Sequence, residues 1–353
     1  HVAFTPLTEV TRNHTRHLLS FEDAIVGVPE MRFRAVPRGT SAGYPYNTTA
    51  QAGKKAFFGD QPAYDLSSAE CQALRKRVDN ILSRAKEGVR LGHVFTDFNK
   101  DEIRSEAKVR AGATRLISSA PLDYTIAWRI MFGTFSAAFM SNHIKHGMAP
   151  GICTYSEWKD LYHHLQKKGK KVFDGDFKSF DASEQPDFFN AILRYINRWY
   201  DDGEENARVR EVLLQDLTNS RHIGGRGFRQ CFLYQWSKSL PSGHPFTTIV
   251  NSMYSLMMLV AAYWVITGRI GDYWTHVSPI TYGDDNVSNV SDEMAGVYNQ
   301  ETVALALKER FGMTYTPGNK SGEWVPTMGI EDVTFLKRRF AFRKGKIVCP
   351  LEL

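Results

Sequence analysis

The tract Thr281-Tyr282-Gly283-Asp284-Asp285-Asn286 sets two carboxylates side by side behind a glycine. Adjacent like charges repel, so both ionise readily only beside a compensating cation, and oxygen donors suit a hard divalent ion. Alone, Gly-Asp-Asp is an ordinary turn sequence. Its weight comes from acids elsewhere in the chain. Asp176 and Asp181 stand five apart in Asp176-Phe177-Lys178-Ser179-Phe180-Asp181, and Asp174 lies two residues before the first. Carboxylates from two strands that share a pair of cations ~3.5–4 Å apart are what in-line phosphoryl transfer requires.

Groups suited to a polyphosphate partner accompany the acids. Lys100, Arg104 and Lys108 recur every four residues, with Arg110 and Arg115 beyond them. A helix puts that spacing on one face, and an extended strand does the same. Asp101, Glu102 and Glu106 leave a solvated, salt-bridged helix as the alternative. Thr247, Asn251 and Ser255 form a polar stripe on an otherwise apolar helix, and buried polar groups need partners that a ligand can supply. In Thr40-Ser41-Ala42-Gly43-Tyr44-Pro45-Tyr46, small residues allow close approach of a backbone while aromatics wall the path.

The elements that must position these groups are legible in outline. Val277, Ile280, Val287 and Val290 give the acidic pair a β-hairpin, with Gly283 at its turn. Val172–Phe177 reads as a short strand, and Pro186 opens a helix burying Phe189, Ile192, Leu193, Ile196 and Trp199. Further helices are expected over 67–88, 123–140, 209–217 and 301–311, with a strand at 232–236 and a basic strand-like segment at 334–340. Helices backing antiparallel strands make an α+β fold.

Composition narrows the class. The chain has 353 residues, 42% of them hydrophobic, which supports a sizeable core. Its net charge of +6 favours an anionic partner. Four scattered cysteines without a Cys-x-x-Cys pair favour a reduced setting over a disulfide scaffold. His143/His146 and His163/His164 are spaced like metal ligands, but without cysteine partners surface or capping roles are the better reading. The longest apolar run, Met253–Ile266, is shorter than a membrane span needs, so a buried helix and no transmembrane segment are expected.

Taken in order, these tracts resemble the RNA-dependent RNA polymerases of picorna-like positive-strand RNA viruses, the Picornavirales. Seven family motifs fall in sequence across nearly the whole chain. The resemblance implies a right-hand polymerase: a palm with an antiparallel sheet and Asp-Asp hairpin, fingers, and a thumb largely absent. It assigns 1–133 to fingers, 134–185 to palm, 186–240 to a fingers insertion, 241–334 to palm, and 335–353 to motif E and the start of a truncated thumb. It implies Mg²⁺, with Mn²⁺ as a substitute, held by Asp176, Asp284 and Asp285, and Lys320 as general acid for pyrophosphate.

By the same resemblance Asp181, Ser242, Thr247 and Asn251 recognise the ribose 2′-hydroxyl, while Gly243 lets its loop flex. Lys100, Arg104, Lys108 and Arg115 contact the triphosphate or RNA, with Ala113 standing where some relatives carry a further basic residue. Thr40, Ser41, Ala42, Gly43 and Tyr44 line the template path, and Phe335, Leu336, Lys337 and Arg338 grip the primer strand. Asp285 points opposite to Asp284 on a strand and either shares an ion or supports one; Asp174 takes a supporting or solvated place.

Partners implied are template and product RNA, nucleoside triphosphates, a small genome-linked protein primer and other viral replication proteins. The setting implied is host cytoplasm at membrane-associated replication complexes. Two rivals remain in view. A reverse transcriptase shares the hairpin but tends to exclude the 2′-hydroxyl with a bulky residue, where Asp181, Thr247 and Asn251 offer hydrogen bonds. A non-catalytic RNA-binding scaffold would need the basic surface alone.

Overall fold

The computed structural model describes residues 1–48, 53–225, 231–237, 239–318 and 323–352. The chain divides into two compact units built from separated segments. One comprises His1–His14, Ala138–Tyr195 and Thr248–Leu353; the other comprises Thr15–Ala137 and Ile196–Thr247. The first fourteen residues, expected with the fingers, pack within the unit that carries the Asp284 hairpin. There Phe4 lies 4.7 Å from the ring of Tyr195, and the Thr8 and Tyr195 hydroxyls are 3.1 Å apart.

Ten strands position the residues of interest: β1 Val94–Asn99, β2 Leu116–Ser119, β3 Lys171–Phe177, β4 Arg221–Gly225, β5 Cys231–Gln235, β6 Val277–Tyr282, β7 Asp285–Val290, β8 Tyr315–Thr316, β9 Thr334–Phe335 and β10 Arg338–Arg339. The first unit holds a four-stranded antiparallel sheet in the order β6-β7-β3-β8. Its buried strand residues Val172, Ile280 and Val287 pack into a core with Trp158, Leu161, Val333 and Phe340. In the second unit the order is β2-β1-β4-β5, with β1 and β4 parallel.

Glycine in a strand interior often marks a close approach, and Gly175 is such a case. A Cβ there would fall 1.9 Å from the Tyr315 ring. The Tyr315 hydroxyl donates to Asn286 Oδ1 (2.7 Å), and Asn286 Nδ2 donates to the Gly175 carbonyl (3.0 Å). Three strands are thereby locked around the stretch that bears Asp176.

Two helices run longer than expected. Glu204–Thr218 extends the segment read as 209–217, and the helix Thr247–Thr267 has 21 residues, long and apolar enough to cross a membrane. Length therefore does not exclude a span, contrary to the reading of the apolar run. The helix is 72% buried over its most apolar window, with Ser252 and Ser255 wholly buried, which is the behaviour of a core helix.

Candidate active site

The β6–β7 connection is a two-residue turn of Gly283 and Asp284, closed by the Tyr282–Asp285 pair. Gly283 has φ +63°, a backbone region where glycine is the favoured occupant. The turn is also fastened from the side. Ser252 Oγ accepts from Gly283 N (2.9 Å) and donates to the Thr248 carbonyl (2.7 Å), while Thr281 Oγ1 donates to the Ser252 carbonyl (2.9 Å). Sequence reasoning missed Ser252, because it lies one position off the Thr247-Asn251-Ser255 stripe.

Antiparallel pairing sets Asp176 opposite Asp285 and brings the Asp176 and Asp284 carboxyls into hydrogen-bonding contact. Partial burial first, and then the charge of Asp176, push Asp284 up to about 6. Burial pushes Asp285 up to about 7, opposed by the Leu336 amide, which donates to Asp285 Oδ2 at 2.6 Å. Asp285, expected either to share an ion or to support one, thus holds the turn between β9 and β10 through one of its carboxyl oxygens. Among the described residues no group of three His, Cys, Asp or Glu side chains forms a metal cage. The pair Asp176 and Asp284 still fits a cation. It offers only oxygen donors, burial and then the charge of Asp176 hold the Asp284 carboxyl above the ordinary range, and Mg²⁺ binds through one or two carboxylates with substrate phosphates completing its shell.

Asp174, read as supporting or solvated, is buried. Its carboxylate accepts from Thr334 N (3.0 Å), Gly318 N (3.2 Å) and Gln300 Nε2 (3.3 Å). It ties β3 to the start of β9, to the segment that follows β8 and to the helix Gln300–Phe311. Burial nevertheless raises its proton affinity above the ordinary carboxylate range. Lys320, the expected general acid, lies outside the described residues.

Asp181 sits on a single helical turn, Phe180–Ser183, that the sequence did not suggest. Asn251 Nδ2 donates to its Oδ1 at 3.0 Å, which unites two of the four expected ribose residues. The other two are engaged elsewhere: Thr247 Oγ1 donates to the Pro241 carbonyl (2.6 Å) and Ser242 Oγ to the Leu116 carbonyl (3.0 Å). Gly243 was expected to give its loop freedom. The structure shows a further need for glycine there, since a Cβ would fall 2.3 Å from the Ser118 carbonyl oxygen. Gly43 makes the matching approach in the other small-residue loop, 2.4 Å from the Ala120 carbonyl oxygen.

Those two loops line one cleft in the second unit. It has a volume of about 600 Å³ and is bordered by Thr40, Ser41, Lys54, Phe98, Ser242 and Gly243. Ala42 is buried and Tyr44 exposed. Lys54, another residue that sequence reasoning missed, donates to Thr40 Oγ1 at 2.6 Å. Burial, then the charge of Arg129, bring its ammonium down to about 8.

The basic tract adopts neither expected geometry. Lys100 follows β1 directly, Arg104 lies in a loop, and Lys108 is on the short helix Glu106–Arg110. Lys100 and Lys108 are exposed, as is Ile103 entirely. Glu102 pairs with Arg104 at 2.8 Å and Arg115 at 3.8 Å, so two of the four expected phosphate contacts are partly neutralised within the tract.

The expected primer grip is a hairpin rather than one strand. Leu336 and Lys337 form its turn with φ of +52° and +57°. Phe335 is wholly buried in the core, which removes it from any surface role. Arg338 donates to the Cys349 carbonyl (2.9 Å), and Lys337 is exposed. Of the histidines, His146 and His164 donate to the Phe139 and Pro279 carbonyls at 2.8 and 2.7 Å.

Comparison with known proteins follows the same outline. A family model described as viral RNA-dependent RNA polymerase matches residues 21–352. The replicase polyprotein of acute bee paralysis virus is 35% identical over 97% of this chain and 18% of its own length. That of cricket paralysis virus is 32% identical over 96% of this chain and 20% of its own length. The chain therefore spans about a fifth of these relatives. A solved structure, the sicinivirus 3Dpol RNA-dependent RNA polymerase, superposes with a TM-score of 0.81 at 24% identity, covering 99% of this chain and 69% of that one. At that identity the likeness establishes the fold.

Proposed function

The chain belongs to the viral RNA-dependent RNA polymerase family, and from this we propose that it extends an RNA 3′ end along an RNA template, consuming nucleoside triphosphates and releasing pyrophosphate. The observation that carries the reading is the contact of Asp176 with Asp284 in the same unit as the Asp181–Asn251 pair. Carboxylates for phosphoryl transfer and a hydrogen-bonding pair for a sugar hydroxyl are the two specificities that ribonucleotide addition needs.

In this reading Asp176 and Asp284 hold Mg²⁺, for which Mn²⁺ can substitute. Bound divalent cations supply activation of the attacking hydroxyl and charge neutralisation at the leaving pyrophosphate. Asp285 keeps the β9–β10 turn in register, and Asp181 with Asn251 accepts the 2′-hydroxyl. Lys320 is the proton donor to pyrophosphate that the family pattern implies. In the second unit, Lys54 together with the Thr40, Ser41 and Ser242 hydroxyls offers hydrogen bonds to a phosphodiester backbone. Lys100, Lys108 and the Glu102-paired arginines supply the longer-range attraction. A genome-linked protein primer and further replication proteins are the partners proposed with this reading.

Primer extension on a short RNA hairpin with Mg²⁺ tests it. Extension that favours ribonucleotides and is abolished by Asp284→Asn is the expected result. Preference for deoxyribonucleotides would favour a reverse transcriptase. RNA binding with no extension, unchanged by Asp284→Asn, would favour a scaffold.

A further inference from the structure

Glu184 has no part in the chemistry above, yet its side chain is wholly buried. Neither carboxyl oxygen has a hydrogen-bond partner among the described residues. A buried polar group left unsatisfied loses its bonds to water and gains none in return, so its retention calls for a reason. Phe180, Phe188 and Phe189, on the stretch of chain either side of Glu184, all pack on Tyr254, with ring centres 5.3 to 5.6 Å away.

The chain around Glu184 is fixed at both sides onto one helix face. Three residues earlier, Asp181 accepts from Asn251 Nδ2; one residue later, Gln185 N donates to the Tyr254 hydroxyl at 2.8 Å. Asn251, Tyr254 and Ser255 are related by three and four positions, so they share that face of the helix Thr247–Thr267. Two more buried atoms on it lack partners among the described residues, Asn251 Oδ1 and Ser255 Oγ. The orphaned groups therefore belong to the segment 181–185 and to the helix face on which that segment is fixed.

We propose that Glu184 is a positioning residue for ribose recognition: its carboxyl group holds the Asn251 amide oxygen inward and so keeps the amide nitrogen turned to Asp181. This rests on the polymerase reading of the Asp181–Asn251 pair. An asparagine amide has a donor end and an acceptor end of nearly equal shape, and only its hydrogen-bond partners decide which faces where. Asp181 takes the donor end. The acceptor end needs a donor, and a carboxylic acid provides one. Burial, and next the charge of Asp181, hold Glu184 well above the ordinary carboxylate range, which favours the donating form. The groups facing Glu184 are Asp181 on its own helical turn and Tyr254 on the long helix. Neither introduces a positive charge that would favour ionisation.

The test compares the unaltered chain with Glu184→Gln, which retains a donor, and Glu184→Leu, which keeps a side chain of similar bulk without one. Competing GTP and dGTP in primer extension, the ribonucleotide preference should drop about tenfold in Glu184→Leu, the value of one hydrogen bond, and stay within about twofold in Glu184→Gln. A second readout needs no turnover. The Asn251 side-chain amide protons should exchange slowly with solvent deuterium in the unaltered chain and Glu184→Gln, and at least tenfold faster in Glu184→Leu. Equal Asn251 exchange in all three proteins overturns the proposal, whatever the extension assay gives. Failure of the unaltered chain to extend either sugar would count against the polymerase reading, while the exchange comparison still decides the role of Glu184.

Discussion

Around the β6–β7 turn, every acidic side chain is held by the fold. Asp284 meets Asp176, Asp285 accepts the Leu336 amide, and Asp174 accepts from three donors. Between β1 and β2 the opposite obtains. Lys100 and Lys108 stand in solvent, Ile103 is fully exposed, and the chief tie is the internal pairing of Glu102 with Arg104 and Arg115. Both regions are dense in charge, and on the proposed reading the difference follows from what each would bind. A small divalent cation demands oxygens placed to a fraction of an ångström, so its ligands are worth pre-organising at the cost of repulsion. A polyanion is met over several ångströms, and exposed, flexible cations suffice.

The contrast can be broken most severely at the acids. Asp284→Asn should lower the extension rate about a thousandfold, or about 4 kcal/mol of barrier, with the melting temperature maintained or raised because a repulsion is relieved. A loss below tenfold in single-turnover kinetics would remove Asp284 from the chemistry. Next in size is the scaffold beneath. Gly175→Ala forces a Cβ into Tyr315 and should cost about 3 kcal/mol in urea denaturation, since a strand interior offers no room to yield. An unchanged midpoint would show that Tyr315 can leave its bond to Asn286.

A pH experiment sharpens the comparison further. Asp284 and Asp285 are pushed to about 6 and about 7, so between about pH 4 and 7 the folded chain holds protons that the unfolded chain has released. Stability from these groups is therefore present at low pH and lost as pH rises through that window. Added Mg²⁺ should raise the melting temperature at pH 8 and have little effect at pH 5, where protons occupy the carboxyls. A Mg²⁺ shift of equal size at both values would place the cation elsewhere. The smallest effect belongs to the exposed tract. Glu102→Gln frees Arg104 and Arg115, and RNA affinity at low salt should rise a few-fold, with a slope against salt steeper by about one. No change in slope would mean that these arginines never reach phosphate.

The palm-like sheet was legible because its signals are local. Alternating Val and Ile, a glycine at a turn and a capped helix act within a few residues of themselves. The resemblance then supplied the family, and the family match bears that out. Errors cluster where the decision is not local. Lys100, Arg104 and Lys108 have a helical period, but the tract lacks a buried apolar face, so nothing drives that helix to form. Phe335 sits in a basic run and was read as surface, yet it is core because Trp158 and Phe340 surround the same space. Gly243 was read through flexibility alone, but its fit against the Ser118 carbonyl, like that of Gly43 against the Ala120 carbonyl, is set by a distant segment.

What the sequence determined by itself is the inventory and its order: which side chains carry charge, which turns need glycine, and which stretches alternate or cycle. What only the tertiary structure decided is the pairing of those groups. It turned Asp285 toward an amide, buried Asp174 under three donors, and buried Glu184 three residues from Asp181. The reason is physical. Propensity and periodicity depend on neighbours along the chain, but hydrogen bonding and desolvation depend on atoms that folding brings from far away, and these set the chemistry of a carboxylate.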